Sequence, residues 1–177
     1  AELHPTPYDP DGYLARLKQD VPNLHDVVYR YLEEAVSTLR TGNLLASAVM
    51  LGAASESIFG KMREAITEAI GDENKRASFQ TKARSKKMKD QINAVVGWCN
   101  NHRKQLPGEW AGTERIAVIH MVAQLIRKRR NETGHPQDPP AVPSREEMYA
   151  CLMVFPEYCK NMYELWNWLD DNKGKVQ

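Results

Sequence analysis

Residues 116–136 read IAVIHMVAQLIRKRRNETGHP, and this stretch is the strongest indication of how the chain folds. Its first ten residues are almost wholly apolar, which predicts a helix, beginning near Thr113, that is buried on nearly every side. Four basic residues follow at 127–130, and Gly134 is placed to end the helix. We therefore expect residues 116–130 to form the most buried helix of the protein.

The basic end of this helix continues its apolar face. Ile116, Ile119, Ala123, Ile126 and Arg130 are separated by 3, 4, 3 and 4 residues, so they share one side of the helix. A guanidinium in that position should border the core or an interface, where it needs a polar partner. The alternative is that basic residues in a last helical turn simply favour the helix dipole.

The rest of the chain is predicted to be mostly helical, because it has neither strand-like alternation nor internal repeats. We expect an all-α bundle of about five helices, covering residues 24–40, 43–70, 83–104, 113–130 and 144–171.

Smaller features complete this organisation. Ser144-Arg145-Glu146-Glu147 has the S-x-x-E pattern of a capping box and should open the last helix. Residues 1–22 are predicted to form an extended N-terminal arm with a short helix over 13–20, and residues 23–177 to form the helical domain. The polar residues 72–82 are predicted to be a loop.

Charge is unevenly distributed along an otherwise ordinary globular chain. Of the 177 residues, 42% are apolar and 27% are charged, and the formal net charge is +1. Residues 75–89 nevertheless contain seven Lys or Arg and no acid. This asymmetry permits a positive surface that the net charge does not reveal.

Several classes of protein are disfavoured by what the sequence lacks. No window is apolar enough for a transmembrane helix, and the N-terminal AELHPTPYDPDGY has no signal-peptide core, so we expect a cytoplasmic protein without membrane contact. Cys99, Cys151 and Cys159 have no CxxC spacing and suit buried positions in a reduced protein. No metal-ligand spacing, phosphate loop or dinucleotide motif is found, so neither a metal nor a cofactor is expected.

A short motif lies at the end of the apolar helix. Arg130-Asn131, three residues and then His135, in an all-helical chain of this size, resemble the R-x4-6-H motif of HEPN domains. The alanine-rich helix predicted at 43–70, with Glu56 inside LGAASES, is similar to the HEPN helix whose acidic residue lies near the motif. The resemblance covers about residues 24–171.

This resemblance implies a metal-independent endoribonuclease. His135 would transfer the proton at the ribose 2′-OH or the leaving 5′-oxygen, and Arg130 would stabilise a phosphorane-like transition state. Asn131 would orient the pair or bind a phosphate oxygen. The resemblance also implies a homodimer whose two motifs face one cleft, and a role as a toxin or defence effector, with an antitoxin or a larger defence assembly as a further partner.

Other residues would support this chemistry. Glu56 would pair with Arg130 and hold its angle, the alternative being a surface glutamate on a rotated helix. Basic side chains would gather RNA phosphates, although a solvated helix start explains the lysines equally well. These candidate RNA-binding residues are Lys82, Arg84, Lys86, Lys87, Lys89, Arg127 and Arg129. His120 is expected to be a satisfied core or interface residue, and His102 to be solvated.

Two other functional hypotheses remain open. The first is a non-catalytic HEPN-like module that dimerises and binds RNA, a nucleotide or a protein. The second is a helical adaptor unrelated to HEPN domains, in which Arg130 and His135 point apart into solvent. The complete Arg130, Asn131 and His135 set favours the enzyme, because a scaffold has no need of it.

Overall fold

The computed structural model describes residues 6–134 and 141–176, and this part of the chain is all-helical. The predicted all-α class is therefore confirmed. Within these residues we find seven α-helices and two 3-10 turns, at 103–105 and 108–111. The helices are α1 (Pro10–Asp20), α2 (Asp26–Arg40), α3 (Leu44–Ala69), α4 (Glu73–Ala83), α5 (Met88–His102), α6 (Thr113–Gly134) and α7 (Arg145–Asp171).

The extended arm predicted for residues 1–22 is wrong for residues 10–20, which form α1. The Asp9 carboxylate accepts a hydrogen bond from the Gly12 backbone N–H at 3.1 Å, and Pro10 occupies the first helical turn, where it needs no N–H partner. Tyr13 is buried, and its hydroxyl donates to the Leu152 carbonyl oxygen at 2.7 Å. The short helix predicted at 13–20 is confirmed. The side of the helix that carries Tyr13 is buried, so the helix is part of a core.

The loop predicted for residues 72–82 is also wrong, because residues 73–83 form α4. Asp72 caps this helix by accepting from the Lys75 backbone N–H at 2.8 Å. Phe79 and Ala83 are its buried residues, so a narrow apolar face is enough to hold an otherwise polar helix. The apolar face of α4 was not recognised in the sequence, because most residues of this segment are polar.

The prediction that residues 116–130 form the most buried helix is wrong as well. The stripe that ends at Arg130 is buried as expected, but the opposite side of α6 is exposed. Val118, Met121 and Leu125 form this outer stripe and are 52%, 64% and 38% exposed. The most enclosed long helix is α3, in which only Glu64 and Glu68 are exposed. An all-round apolar helix thus has one side that the described residues leave uncovered.

The chain divides into two compact units, and the first contains residues up to 57 together with 125–160. It comprises α1, α2, the start of α3, the end of α6 and the first part of α7. Its largest fully buried side chains include Leu17, Leu32 and Phe155. The Ser55 and Tyr158 hydroxyls lie 3.1 Å apart within this core and satisfy each other.

The second unit contains residues 58–124 and the residues from 161 onward. The C-terminal backbone is held against the end of α3, because the Val176 N–H donates to the Ala69 carbonyl at 3.0 Å and the Gly71 N–H donates to the Val176 carbonyl at 2.9 Å. Arg63 Nη1 donates to the Ala83 carbonyl at 2.7 Å and so connects α3 with α4. The contact of Arg63 holds α4 against α3 within this unit.

Two further observations concern the expected location and cysteine chemistry. Among residues 6–134 and 141–176, no helix is both long and apolar enough to cross a membrane. All three cysteines are buried and unpaired, as expected. Burial raises the pKa of Cys99 and of Cys159 to about 12, so both thiols are protonated at neutral pH.

Candidate functional site

Arg130 lies against α3 at a position where α3 has no side chain. A Cβ atom added to Gly52 would lie 2.6 Å from Arg130 Cβ and closer still to Arg130 Cγ. Such a separation is impossible for real carbon atoms, so only glycine at position 52 allows the stem of Arg130 to take this place. Arg130 therefore continues the buried stripe of α6, as predicted, and Gly52 of α3 leaves the space that its stem occupies.

The guanidinium group of Arg130 lies beside the Glu56 carboxylate. Glu56 is one helical turn after Gly52 on α3, so the stem and the head of the arginine follow the same face of that helix. Arg130 Nε is 3.6 Å from Glu56 Oε1, and the two side chains are 39% and 33% exposed. Glu56 is therefore paired with Arg130. The alternative, a surface glutamate on a rotated helix, is not what the structure has.

Asn131 approaches the same group from within α6. Arg130 Nη1 donates to Asn131 Oδ1 at 3.4 Å, a long contact for a hydrogen bond. Asn131 is half-buried. No acceptor for Arg130 Nη2 is found within the part of the chain that the structure describes. The side chain thus has one edge occupied by Glu56 and an Nη2 group available to an anionic ligand.

Arg129, in contrast, is engaged in a structural ion-pair network. Its Nη2 lies 2.5 Å from Glu147 Oε1, and its Nη1 lies 3.3 Å from Glu132 Oε2. The second oxygen of Glu147 accepts from the Ser144 backbone N–H at 2.8 Å, while the Ser144 hydroxyl accepts from the Glu147 N–H at 3.1 Å. The predicted capping box is confirmed, and Arg129 extends it from α7 to the end of α6.

His135 lies outside the described residues. The structure defines what flanks it: Arg130 and Asn131 in the last turns of α6, and the α7 start at Arg145. The pair of Arg129 with Glu147 connects the helix before the 135–140 segment with the helix after it. The helices before and after the segment that carries His135 are therefore joined by an ion pair.

The other basic residues fall into two groups. Arg127 is half-buried on α6. The remaining five are exposed around the end of α4 and the start of α5, and none forms an ion pair with a described residue. These five are Lys82, Arg84, Lys86, Lys87 and Lys89. Their charges are available to a polyanion, and RNA contact stays a prediction for them.

Two histidines have defined surroundings. His120 Nε2 lies 3.1 Å from Gln124 Nε2 and is half-buried, which agrees with a satisfied residue. His102 is not simply solvated, as had been expected: its ring stacks on Trp98 with centroids 4.5 Å apart, and its Nδ1 is 2.8 Å from the Trp98 carbonyl oxygen. His102 and Trp98 line a cavity between α4 and α5. This cavity was not predicted, because α4 was predicted to be a loop. The sequence feature that could have indicated the helix is Asp72, which lies three residues before Lys75 and caps α4.

Comparison with known proteins does not identify a family. No family model matches the chain, and no curated protein or solved structure is significantly similar to it. Among the described residues, no three His, Cys, Asp or Glu side chains are grouped so that they could hold a metal ion. The function therefore has to be inferred from the geometry of the residues themselves.

Proposed function

We propose that this protein is a metal-independent endoribonuclease of the HEPN type that acts as a homodimer. The observation that carries the proposal is the environment of Arg130. Its stem fits over Gly52, its Nε edge faces Glu56, and its Nη2 has no acceptor among the described residues. An arginine held in this way has a defined orientation and a free donor for a phosphate oxygen.

The proposed reaction uses the nucleophile that RNA already contains. The ribose 2′-OH attacks the adjacent phosphorus, the bond to the 5′-oxygen breaks, and a 2′,3′-cyclic phosphate forms. His135 removes the proton of the 2′-OH or supplies the proton to the leaving 5′-oxygen, and water exchanges the other proton. Such acid–base catalysis contributes about 10²–10⁴-fold in rate. Arg130 stabilises the additional negative charge on the phosphorane-like transition state.

Neighbouring residues have positioning roles in this proposal. Glu56 occupies the Nε edge of Arg130 and keeps the guanidinium plane from rotating. Asn131 limits the movement of Nη1 and remains close enough to bind a phosphate oxygen. Arg129 acts indirectly, because its ion pair with Glu147 holds α7 against the end of α6. The five exposed basic residues near α4 and α5 attract the RNA backbone.

The homodimer is supported by the outer stripe of α6. Val118, Met121 and Leu125 are spaced at 3 and 4 residues, so their exposed side chains lie in one row. Large apolar side chains that are grouped on a surface mark an interaction site more often than scattered ones do. The stripe is on the helix that carries Arg130 but on the side opposite it, so a second copy placed there would bring the two α6 helices together while each Arg130 stays against its own α3. Such a protein would act in the cytoplasm as a toxin or defence effector.

A second candidate function is favoured by the Glu56 pair. A carboxylate 3.6 Å from the guanidinium partly neutralises the charge that a phosphate would meet. A non-catalytic module that dimerises through α6 and binds RNA or a partner protein would keep this pair as a structural contact. In that case Arg130 would contribute to binding or folding, with no effect on cleavage.

The two candidates are distinguished by a cleavage assay in EDTA. Purified protein is incubated with a defined single-stranded RNA, and the products are examined for 2′,3′-cyclic phosphate ends. We expect cleavage by the unmodified protein and its loss in His135→Ala and in Arg130→Ala. Arg130→Lys should also be poor, because a point charge does not reproduce the planar fork.

Lys128→Ala is the matched control, since Lys128 is a basic, 65% exposed residue on the same helix with only an i,i+4 pair to Glu132. It should cleave at nearly the normal rate. Circular dichroism must show that each variant is folded. Cleavage that persists in a folded His135→Ala protein would reject the catalytic assignment and leave the non-catalytic module as the better explanation.

A further inference from the structure

A cavity of about 580 Å³ lies between α4 and α5 in the second unit. Small-molecule sites in proteins typically have volumes of about 300–1,000 Å³, so this space suits a ligand larger than a water cluster or a simple ion. It consists of an apolar floor and a polar rim. Neither Glu56, Arg130 nor Asn131 lines it.

The floor of the cavity is aromatic. Phe79 of α4 meets the edge of Trp98 of α5, with ring centroids 6.5 Å apart and planes at 64°. His102 extends this surface by stacking on Trp98. Gly97 leaves a gap beside them, because a Cβ atom placed there would meet nothing within 4 Å. An aromatic ligand can make edge-to-face or offset-stacked contacts with these rings.

The rim supplies neutral groups that both donate and accept hydrogen bonds. Asn74, Asn93 and Asn101 line the cavity, and each amide presents an oxygen acceptor and an NH₂ donor. The indole Nε1–H of Trp98 is buried and has no hydrogen-bond partner among the described residues. This atom has almost no accessible surface, so the hydrogen-bonding groups that the cavity offers to a ligand are those of the rim. Heteroaromatic rings with alternating donors and acceptors match this set.

The rim is also positively charged on one side. Lys75 and Lys82 of α4 both line the cavity, and they are seven residues, or two helical turns, apart on one face. Both are exposed, and neither forms an ion pair with a described residue. No carboxylate lines the cavity. An anionic group attached to the planar ligand would therefore be attracted to the α4 side.

We propose that this cavity binds a nucleotide, with the base against the floor of Phe79, Gly97 and Trp98 and the phosphate at Lys75 and Lys82. The asparagine amides would contact the edge of the base. The nucleotide is either free or an unpaired unit of an RNA strand, since both present the same base and phosphate. The proposal does not depend on RNA cleavage, because it uses no residue of the Arg130 site.

Nuclear magnetic resonance of the indole N–H groups tests this proposal directly. The ¹⁵N-labelled chain contains four tryptophans, and Trp98→Phe identifies the Trp98 signal. AMP, GMP, CMP and UMP are titrated separately, each to millimolar concentration, and a ten-nucleotide single-stranded RNA is titrated in parallel. We expect the Trp98 signal to shift on saturation, because its environment changes when the cavity is filled.

Trp110 is the internal control for that measurement. It is also buried with an unpartnered Nε1–H, but it does not line the cavity. Its signal should stay unchanged. Inorganic phosphate alone should leave Trp98 unshifted, since the base is what contacts the floor. A shift with a mononucleotide identifies a free nucleotide as a ligand, and a shift with the RNA alone identifies an unpaired unit of a strand.

Two variants make the result specific to the cavity. Gly97→Leu fills the open space without meeting another atom at its Cβ, so the protein should fold and lose the Trp98 response. Lys75→Ala with Lys82→Ala should weaken nucleotide binding at least about tenfold, a change that falls as salt is raised. Lys104→Ala with Lys128→Ala is the matched control, because these lysines are also exposed, do not line the cavity and are not among the residues proposed to attract RNA.

Three results would each overturn the proposal. They are the absence of any Trp98 shift with all four mononucleotides and the RNA, an equal shift of Trp110, and equal weakening by the two pairs of lysine substitutions. Loss of RNA cleavage in Arg130→Ala has no bearing on any of them. Failure of nucleotide binding and failure of the ribonuclease proposal can thus be told apart.

Discussion

Arg130 has a different kind of neighbour along each part of its side chain. Its aliphatic stem lies over Gly52, its Nε faces Glu56, and its Nη1 reaches Asn131. Because the two side chains of the pair with Glu56 are 39% and 33% exposed, the pair contributes little to the free energy of unfolding. Its effect is on orientation, which is the property that binding to a phosphate requires.

The close approach at Gly52 can be tested by adding one methyl group. Gly52→Ala would place a carbon 2.6 Å from Arg130 Cβ, so the arginine or the helix must move. We expect a loss of roughly 1–3 kcal/mol in the free energy of unfolding, as overpacking in a core costs. If the proposed enzyme function holds, RNA cleavage should fall by about 100-fold, because a displacement of about 1 Å at a reacting group has this effect.

Gly60→Ala is the matched control for that prediction. Gly60 is in the same helix, and a Cβ there would meet only Arg63 Nη2, at 4.0 Å. Alanine at that position should stabilise the protein by up to about 1 kcal/mol through helix propensity alone. Urea denaturation measures both effects. Gly52→Ala and Gly60→Ala proteins of equal stability would contradict the proposed seat of Arg130.

The ends of the helices depend on a few polar contacts. At the start of α7, Ser144 and Glu147 satisfy each other's backbone N–H groups, and Glu147 also pairs with Arg129 of α6. One carboxylate therefore caps one helix and holds the end of another. A capping box in sequence predicts the first of these contacts, but the second requires that α6 end beside α7.

Substitutions at Glu147 should separate the two contacts. Glu147→Ala removes both, and we expect a loss of roughly 1–2 kcal/mol in the free energy of unfolding. Glu147→Gln keeps a side-chain acceptor for the Ser144 N–H and removes the charge, so it should cost less than about 1 kcal/mol. Glu146→Ala, one residue away and without the Arg129 contact, should change stability by no more than about 0.5 kcal/mol. Urea denaturation would contradict this interpretation if Gln were as harmful as Ala.

Assembly is the property of the protein as a whole that depends most on the outer stripe of α6. Met121 is its most exposed residue, at 64%. Met121→Glu should leave the fold intact, because the side chain is mostly in water, and should prevent dimerisation by placing a carboxylate in an apolar interface. Sedimentation velocity at micromolar concentration should show a dimer for the unmodified chain and a monomer for the variant.

Met153→Glu is the matched control for this prediction. Met153 is an exposed methionine of α7, at 40%, outside the stripe. Its substitution should leave the dimer unchanged. A strict monomer for the unmodified chain at micromolar concentration, or a dimer that survives Met121→Glu, would contradict assembly through the outer stripe of α6. The strict monomer would also leave a composite site without support.

Periodicity and capping signals alone identified most of the helices. The all-α class, α2, α3, α5, the long helix from Thr113, and the capped α7 follow from apolar spacing and from residues such as Ser144, since these depend on neighbours within a few positions in the chain. The half-buried end of the α6 stripe at Arg130 was predictable for the same reason. α4 was missed because its helical signal is a cap and two buried residues, which local polarity outweighs.

What contacts Arg130 depends on how helices far apart in the chain come together. The resemblance to HEPN domains suggested Glu56 as a partner. No local pattern shows that Gly52 leaves space for the arginine stem, because that contact joins residues 78 positions apart. The exposed side of α6 could not be predicted for the same reason. An apolar residue gives the same sequence pattern whether its own chain or another molecule covers it. Local pattern therefore determined the helices and the motif, whereas long-range packing determined which of their faces were covered and what the arginine meets.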